Sequence, residues 1–205
     1  MARYRLTLGI VVIAFSFLAS PGCKSRKSDS AIIHPETPES TVEKIMVQYD
    51  TNRDGALDAT ELEQSPSLRT LLKSMGKRAN ETISNDELLQ RIQAFQITKI
   101  RMPSVPCVVT LDGAPLADAT ITFTLESFHG SSNEAVTGKS GADGRADVQG
   151  TGGIVSGFYQ IAVSKQAGGV ELVPSKYNSA TTLGVEVSSL GFGRGGTLTL
   201  DLSSQ

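Results

Sequence analysis

Tryptophan is absent from this chain, and cysteine and histidine occur only twice each among 205 residues. So few cysteines exclude a disulfide framework. His34 and His129 stand apart, with no cysteine or second histidine nearby to make a zinc site. Charge of one sign is missing as well: 19 basic and 21 acidic side chains leave a net charge of -2. That supplies no long-range field to gather nucleic acid, and no nucleic-acid partner is expected. Long hydrophobic runs are lacking. The one extended apolar stretch, Leu6 to Ala19, would reach about 21 Å as a helix, short of a ~30 Å hydrocarbon core. Catalytic signatures are missing too. There is no G-x-S-x-G, and although Gly191, Gly193 and Gly196 satisfy G-x-G-x-x-G, the following "TLTLDL" reads as a strand. A helix N-terminus would be needed there to hold a pyrophosphate, so a glycine hairpin loop is the expectation. The chain is expected not to be an enzyme.

Glycine, by contrast, is plentiful at 20 residues, which favours many tight turns and a β-rich portion. The N-terminus carries a compartment signal. Arg3 and Arg5 form a basic region, Leu6 to Ala19 the apolar stretch, and Ser20-Pro21-Gly22 a small-residue approach to Cys23. Residues 1–22 therefore read as an export signal peptide, with a retained membrane anchor as the alternative. Gly22-Cys23 resembles the lipobox of bacterial lipoproteins. The resemblance implies lipidation at Cys23 and a lipid anchor in the membrane; cleavage by the ordinary signal peptidase is the competing reading. Cys107 then has no internal partner and is expected to be a small buried hydrophobe in a strand. Residues 23–40, polar and broken by Pro35 and Pro38, read as a flexible linker.

Residues 41–100 have a helical period. Val42, Ile45, Met46 and Tyr49 share one helix face, with Ser40 and Glu43 placed as a capping box. Ser65-Pro66 opens another helix, whose face is Leu68, Leu71, Leu72 and Met75 and which Gly76 should end. Ser84 and Glu87 form a second box ahead of Leu88, Leu89, Ile92 and Phe95.

Past Pro103 the period falls to two. Ile121, Phe123 and Leu125 alternate with threonines, and Tyr159/Ile161/Val163, Leu183/Val185/Val187 and Leu198/Leu200/Leu202 repeat the pattern. Asp112-Gly113, Asp143-Gly144 and Gly152-Gly153 mark reversals between them. The fold class expected is α+β, with an N-terminal helical pair followed by an antiparallel β-sandwich.

The stretch "DTNRDGALDATE", Asp50 to Glu61, lies between two helical segments. Calcium takes six to eight hard oxygen ligands, and a twelve-residue helix-loop-helix supplies them at fixed steps. Here Asp50, Asn52 and Asp54 stand at positions 1, 3 and 5, Ala56 offers its carbonyl at 7, Asp58 stands at 9 and Glu61 at 12. Gly55 at position 6 permits the sharp turn. Clustering four carboxylates without a cation is electrostatically unfavourable. The pattern is identified as a member of the EF-hand family. Gly76 to Glu87 resembles a second, degenerate EF-hand loop, with Arg78 at position 3 and Ile83 positioned to bridge to Leu57. One Ca²⁺ per chain is expected.

"VTLDGAPLADATITF", "SGADGRADV" and "SGFYQIAVS" together resemble the carboxypeptidase regulatory-like domain, a transthyretin-like sandwich. The resemblance covers about Val105 to Leu202, within a domain read as 103–205. It implies a noncatalytic structural or binding module. Tyr177 and Lys176 could contact a ligand, but a tyrosine capping the sandwich is the favoured reading. These readings combine into a calcium-binding, exported lipoprotein of the cell envelope, whose partners would be calcium, the membrane and an envelope protein or polysaccharide. A dockerin-like docking module is the alternative.

Overall fold

The structure, a computed structural model, describes residues 37–98, 101–130, 135–188 and 196–205, with backbone alone for 95–98. The export signal, most of the linker, Cys23, His34, the Phe95 side chain, Gly191 and Gly193 lie outside the described residues. The architecture is α+β, and residues 33–205 form one compact unit.

Helix α1 (Pro38–Tyr49) begins earlier than the Ser40/Glu43 box suggests. The Thr37 hydroxyl accepts from Ser40 N at 3.1 Å, and Pro38 fills the first turn, where its missing N–H costs nothing. Thr37 is therefore the cap, and Ser40 lies inside the helix. A two-residue strand β1 (Ala56–Leu57) and a single turn α2 (Ala59–Leu62) lead to α3 (Pro66–Ser74). Ser65 caps α3 as its sequence context requires, accepting from Leu68 N at 3.3 Å. Gly76, at φ 71°, closes the helix. Lys77 N donates to Leu72 O at 2.8 Å and Gly76 N to Lys73 O at 3.1 Å, the double bond of a Schellman turn. Strand β2 (Ile83–Ser84) precedes α4 (Asn85–Thr98). The expected box is present there, with Ser84 N donating to Glu87 Oε2 at 2.9 Å and Glu87 N to Ser84 Oγ at 3.3 Å.

The rest of the chain builds β3 (Met102–Leu111), β4 (Ala114–Pro115), β5 (Thr120–Leu125), β6 (Val136–Lys139), β7 (Arg145–Ile154), β8 (Gly157–Ser164), β9 (Gln166–Ala167), β10 (Val170–Glu171), β11 (Leu183–Val187) and β12 (Leu198–Leu202). Eight of these described strands join one curled sheet in the order β11-β8-β5-β6-β7-β3-β12, with β4 beside β3. Its concave face is lined by the alternating residues read from the sequence, among them Ile121, Phe123, Ile161, Val163, Val187 and Leu200. Asp112 and Gly113, at φ 52° and 79°, make the two-residue reversal between β3 and β4.

Two expectations are corrected. Gly152 and Gly153 do not reverse the chain. They lie within β7 at φ 81° and 85°, where the register against β3 slips between Met102 and Ser104. Left-handed residues at a bulge let the strand absorb the extra length, and glycine takes that conformation without strain. The glycine loop expected before β12 falls, apart from Gly196, outside the described residues. Lastly, β12 runs parallel to β3, Leu200 opposite Val109, so the sheet is not wholly antiparallel.

The helices bury their apolar faces on the convex side of this sheet. Val42, Ile45, Tyr49, Leu68, Leu88 and Ile92 share a cluster with Phe128 and Phe158. Phe158 of β8 faces the helices while Tyr159 beside it faces the sheet core, so this strand is buried on both faces. Burying an aliphatic or phenyl side chain stabilises by about 1.5 to 3 kcal/mol, enough for this second core to hold helices and sheet together.

Candidate metal centre

The acidic loop leaves α1 at Asp50, whose N–H still donates to Met46 O at 3.0 Å. Two left-handed residues, Arg53 at φ 60° and Gly55 at φ 83°, turn the chain sharply. The side chains of the loop then accept from its own amides. Asp50 Oδ1 takes Asp54 N at 3.2 Å and Oδ2 takes Gly55 N at 3.1 Å; Asn52 Oδ1 takes Asp54 N at 2.8 Å; Asp54 Oδ1 takes Ala56 N at 2.9 Å. Such side-chain to backbone bonds curl a short loop tightly on itself.

Glu61 ties the two ends of the loop together. It forms a capping box with Asp58, whose Oδ1 accepts from Glu61 N at 2.9 Å while Glu61 Oε2 accepts from Asp58 N at 3.0 Å. Its other oxygen, Oε1, reaches back across the loop to Thr51 N at 2.8 Å, Thr51 Oγ1 at 3.0 Å and Asn52 N at 3.2 Å. Glu61 is 3% exposed. Burial pushes its carboxyl pKa up, but the donors on Asp58, Asn52 and Thr51 outweigh burial and hold it below the ordinary value. Among the described residues no basic side chain pairs with Asp50, Asp54, Asp58 or Glu61.

All six residues expected from the sequence, Asp50, Asn52, Asp54, Ala56, Asp58 and Glu61, fall on one loop rich in hard oxygens, a donor set suited to calcium; the loop's own cationic side chain, Arg53, is exposed and pairs with none of these carboxylates among the described residues. With Glu61 turned onto the loop amides, no three acidic, histidine or cysteine side chains among the described residues converge at metal-binding distance. Thr51 was not legible as a participant. Its position in the calcium pattern is unspecified, and only the fold shows its hydroxyl holding Glu61.

Beside the loop, β1 pairs antiparallel with β2, Leu57 opposite Ile83 and Ala56 opposite Ser84, the register inferred from aligning the two loops. Asn85 N donates to Gly55 O at 3.1 Å, a further tie between them. Leu57 and Ile83 are both fully buried.

The other residues singled out by sequence have structural tasks. His129 Nε2 accepts from Phe158 N at 3.0 Å and its ring stacks on Phe158, which pins the turn after β5 to β8. Tyr177 packs at the rim of the sheet core and accepts from Ser203 N at 3.2 Å through its hydroxyl, with the Lys176 ammonium 5.1 Å above its ring. Cys107 is buried in β3. Comparison with protein-family models, with curated proteins and with solved structures finds no match to this chain.

Proposed function

We propose that this chain is a calcium-binding, exported lipoprotein of the cell envelope, in which an EF-hand pair with one working loop rides on a transthyretin-like sandwich that serves as a structural or binding module. One observation carries the reading: a buried Glu61 closes a loop of oxygen donors that has no basic partner among the described residues. Bound there, a divalent cation would neutralise the four carboxylates of Asp50, Asp54, Asp58 and Glu61. Asn52 and the Ala56 carbonyl would complete the donor set. The Leu57–Ile83 bridge supports the pairing of two such loops. Because α1, which feeds the loop, packs on Phe128 through Tyr49, an ion there would stiffen the junction of helices and sheet. The role favoured is a staple in a displayed module.

Melting the protein in calcium and in chelator tests this. A ligand at 100 times its dissociation constant stabilises the folded state by about 2.7 kcal/mol, or roughly 5 to 10 °C for a chain of this size. Glu61→Gln should abolish the shift. Equal melting temperatures with and without calcium in the native chain sink the proposal. Lipidation at Cys23 is checked by incorporation of labelled fatty acid in the expressing cell, which Cys23→Ala should remove.

A further inference from the structure

The second loop holds a cation of its own. Counted from Gly76, its seventh residue is Thr82 and its twelfth is Glu87, the places that Ala56 and Glu61 occupy in the first loop. The twelfth residue behaves alike in both: Glu61 Oε2 accepts from Asp58 N at 3.0 Å, and Glu87 Oε2 accepts from Ser84 N at 2.9 Å. Their other oxygens differ. Where Glu61 Oε1 turns to amides of its loop, Glu87 Oε1 lies 2.6 Å from the ammonium of Lys77. The same ammonium donates to the Thr82 carbonyl at 2.9 Å. A seventh-position carbonyl and a twelfth-position carboxylate are the two ligands that a calcium loop of this kind always offers its ion. In this loop both are occupied by one side chain. Arg78 does not compete, since its guanidinium and its N–H face Glu81 instead.

We propose that the Lys77 ammonium stands in for the divalent ion of the second loop, so that this half of the pair is permanently loaded by its own chain and holds Ile83 against Leu57 whether or not calcium is present. The inference rests on the calcium-loop reading above, and deepens it: one loop is conditional, its partner constitutive. Removing the ammonium while keeping its apolar stem should free Thr82 O and Glu87 for a real divalent ion.

The test is a set of melts of the full protein, each in calcium and in chelator. Lys77→Met should lower the melting temperature in chelator by about 1 to 3 °C, the scale of a partly exposed ion pair. Glu61→Gln alone should ignore calcium. Glu61→Gln combined with Lys77→Met should recover a calcium-dependent rise of about 3 °C near ~10 mM, as expected of a weak site. Combined with Lys77→Arg, which restores a tethered cation, that response should vanish. A double variant indifferent to calcium overturns the proposal, as does a Glu61→Gln chain that still responds. Should the double variant fail to fold, calorimetry on Lys77→Met decides: two calcium ions per chain are expected, and one overturns the idea. A native chain that ignores calcium would sink the first-loop reading, yet leave the double variant to judge this one.

Discussion

Arg91 of α4 forks onto Glu186 of β11, with Nη2 2.9 Å from Oε1 and Nε 3.1 Å from Oε2. The carboxylate is 3% exposed and also accepts from Ser188 Oγ at 2.6 Å and Ser74 Oγ at 3.2 Å. A helix and a sheet strand are thus tied by a buried, fully hydrogen-bonded charge pair. Such pairs add little net stability when both partners are exchanged for apolar groups, but breaking one side strands the other charge. Arg91→Met should cost about 3 to 5 kcal/mol in urea unfolding. Arg91→Met with Glu186→Leu should recover most of it; a double variant as weak as the single one would contradict this account.

Gly184 sits where α3 crosses β11. A Cβ there would overlap the backbone of Pro66 and Ser67, which no side-chain rotation relieves. Gly184→Ala should therefore push α3 off the strand and destabilise by about 1 to 3 kcal/mol or more, the range for overpacking. Gly168→Ala, in open space at a hairpin tip, makes the comparison: its cost comes only from φ 59°. A melting temperature for Gly184→Ala at or above that of Gly168→Ala would show that the contact is soft.

Burial, aided by the nearby Asp147 charge, pushes the Cys107 thiol up to about 12. Thiolate is the reactive form, so at neutral pH Cys107 should resist maleimide or disulfide reagents in the folded chain and react at the rate of an ordinary thiol in denaturant. Fast labelling of native protein carrying Cys23→Ala would refute this.

Glu171 closes the β9–β10 hairpin by accepting from Lys165 N and Val173 N, each at 2.9 Å, and from the Ser164 hydroxyl. Burial raises its pKa, but these donors prevail and hold it below the ordinary value near 4.5. The sign follows: its contribution is complete above that value and is lost as pH falls through the lower folded pKa. Between pH about 5 and 3 the melting temperature of Glu171→Gln should fall less steeply than that of the native chain. Parallel curves would show that Glu171 contributes nothing.

Glu126 is a buried carboxylate with no basic partner among the described residues. Glu126 accepts from Ser65 Oγ at 3.1 Å, Ser67 Oγ at 2.6 Å and Gln160 Nε2 at 3.1 Å, joining the start of α3 to the sheet. In sequence, Glu126 looks like a polar residue ending a strand. Nothing local says that two of its partners lie about 60 residues earlier and the third 34 residues later, because these bonds exist only once the chain has folded. Glu186 is the same case: it occupies the polar phase of an alternating strand, yet is buried, since helices cover the convex face of β11.

Local rules were enough for the helix caps at Ser65 and Ser84, the stop at Gly76, the Asp112-Gly113 reversal and the period of β5, β8, β11 and β12, because those depend on a residue's own backbone preference and near neighbours. They also sufficed to align the two loops and put Leu57 opposite Ile83. Docking alone decided that helices and sheet share a second core through Phe128 and Phe158, that β12 runs parallel to β3, and that Lys77 reaches Thr82 and Glu87. Those outcomes depend on which surfaces meet, and a surface has no partner until the chain has folded around it.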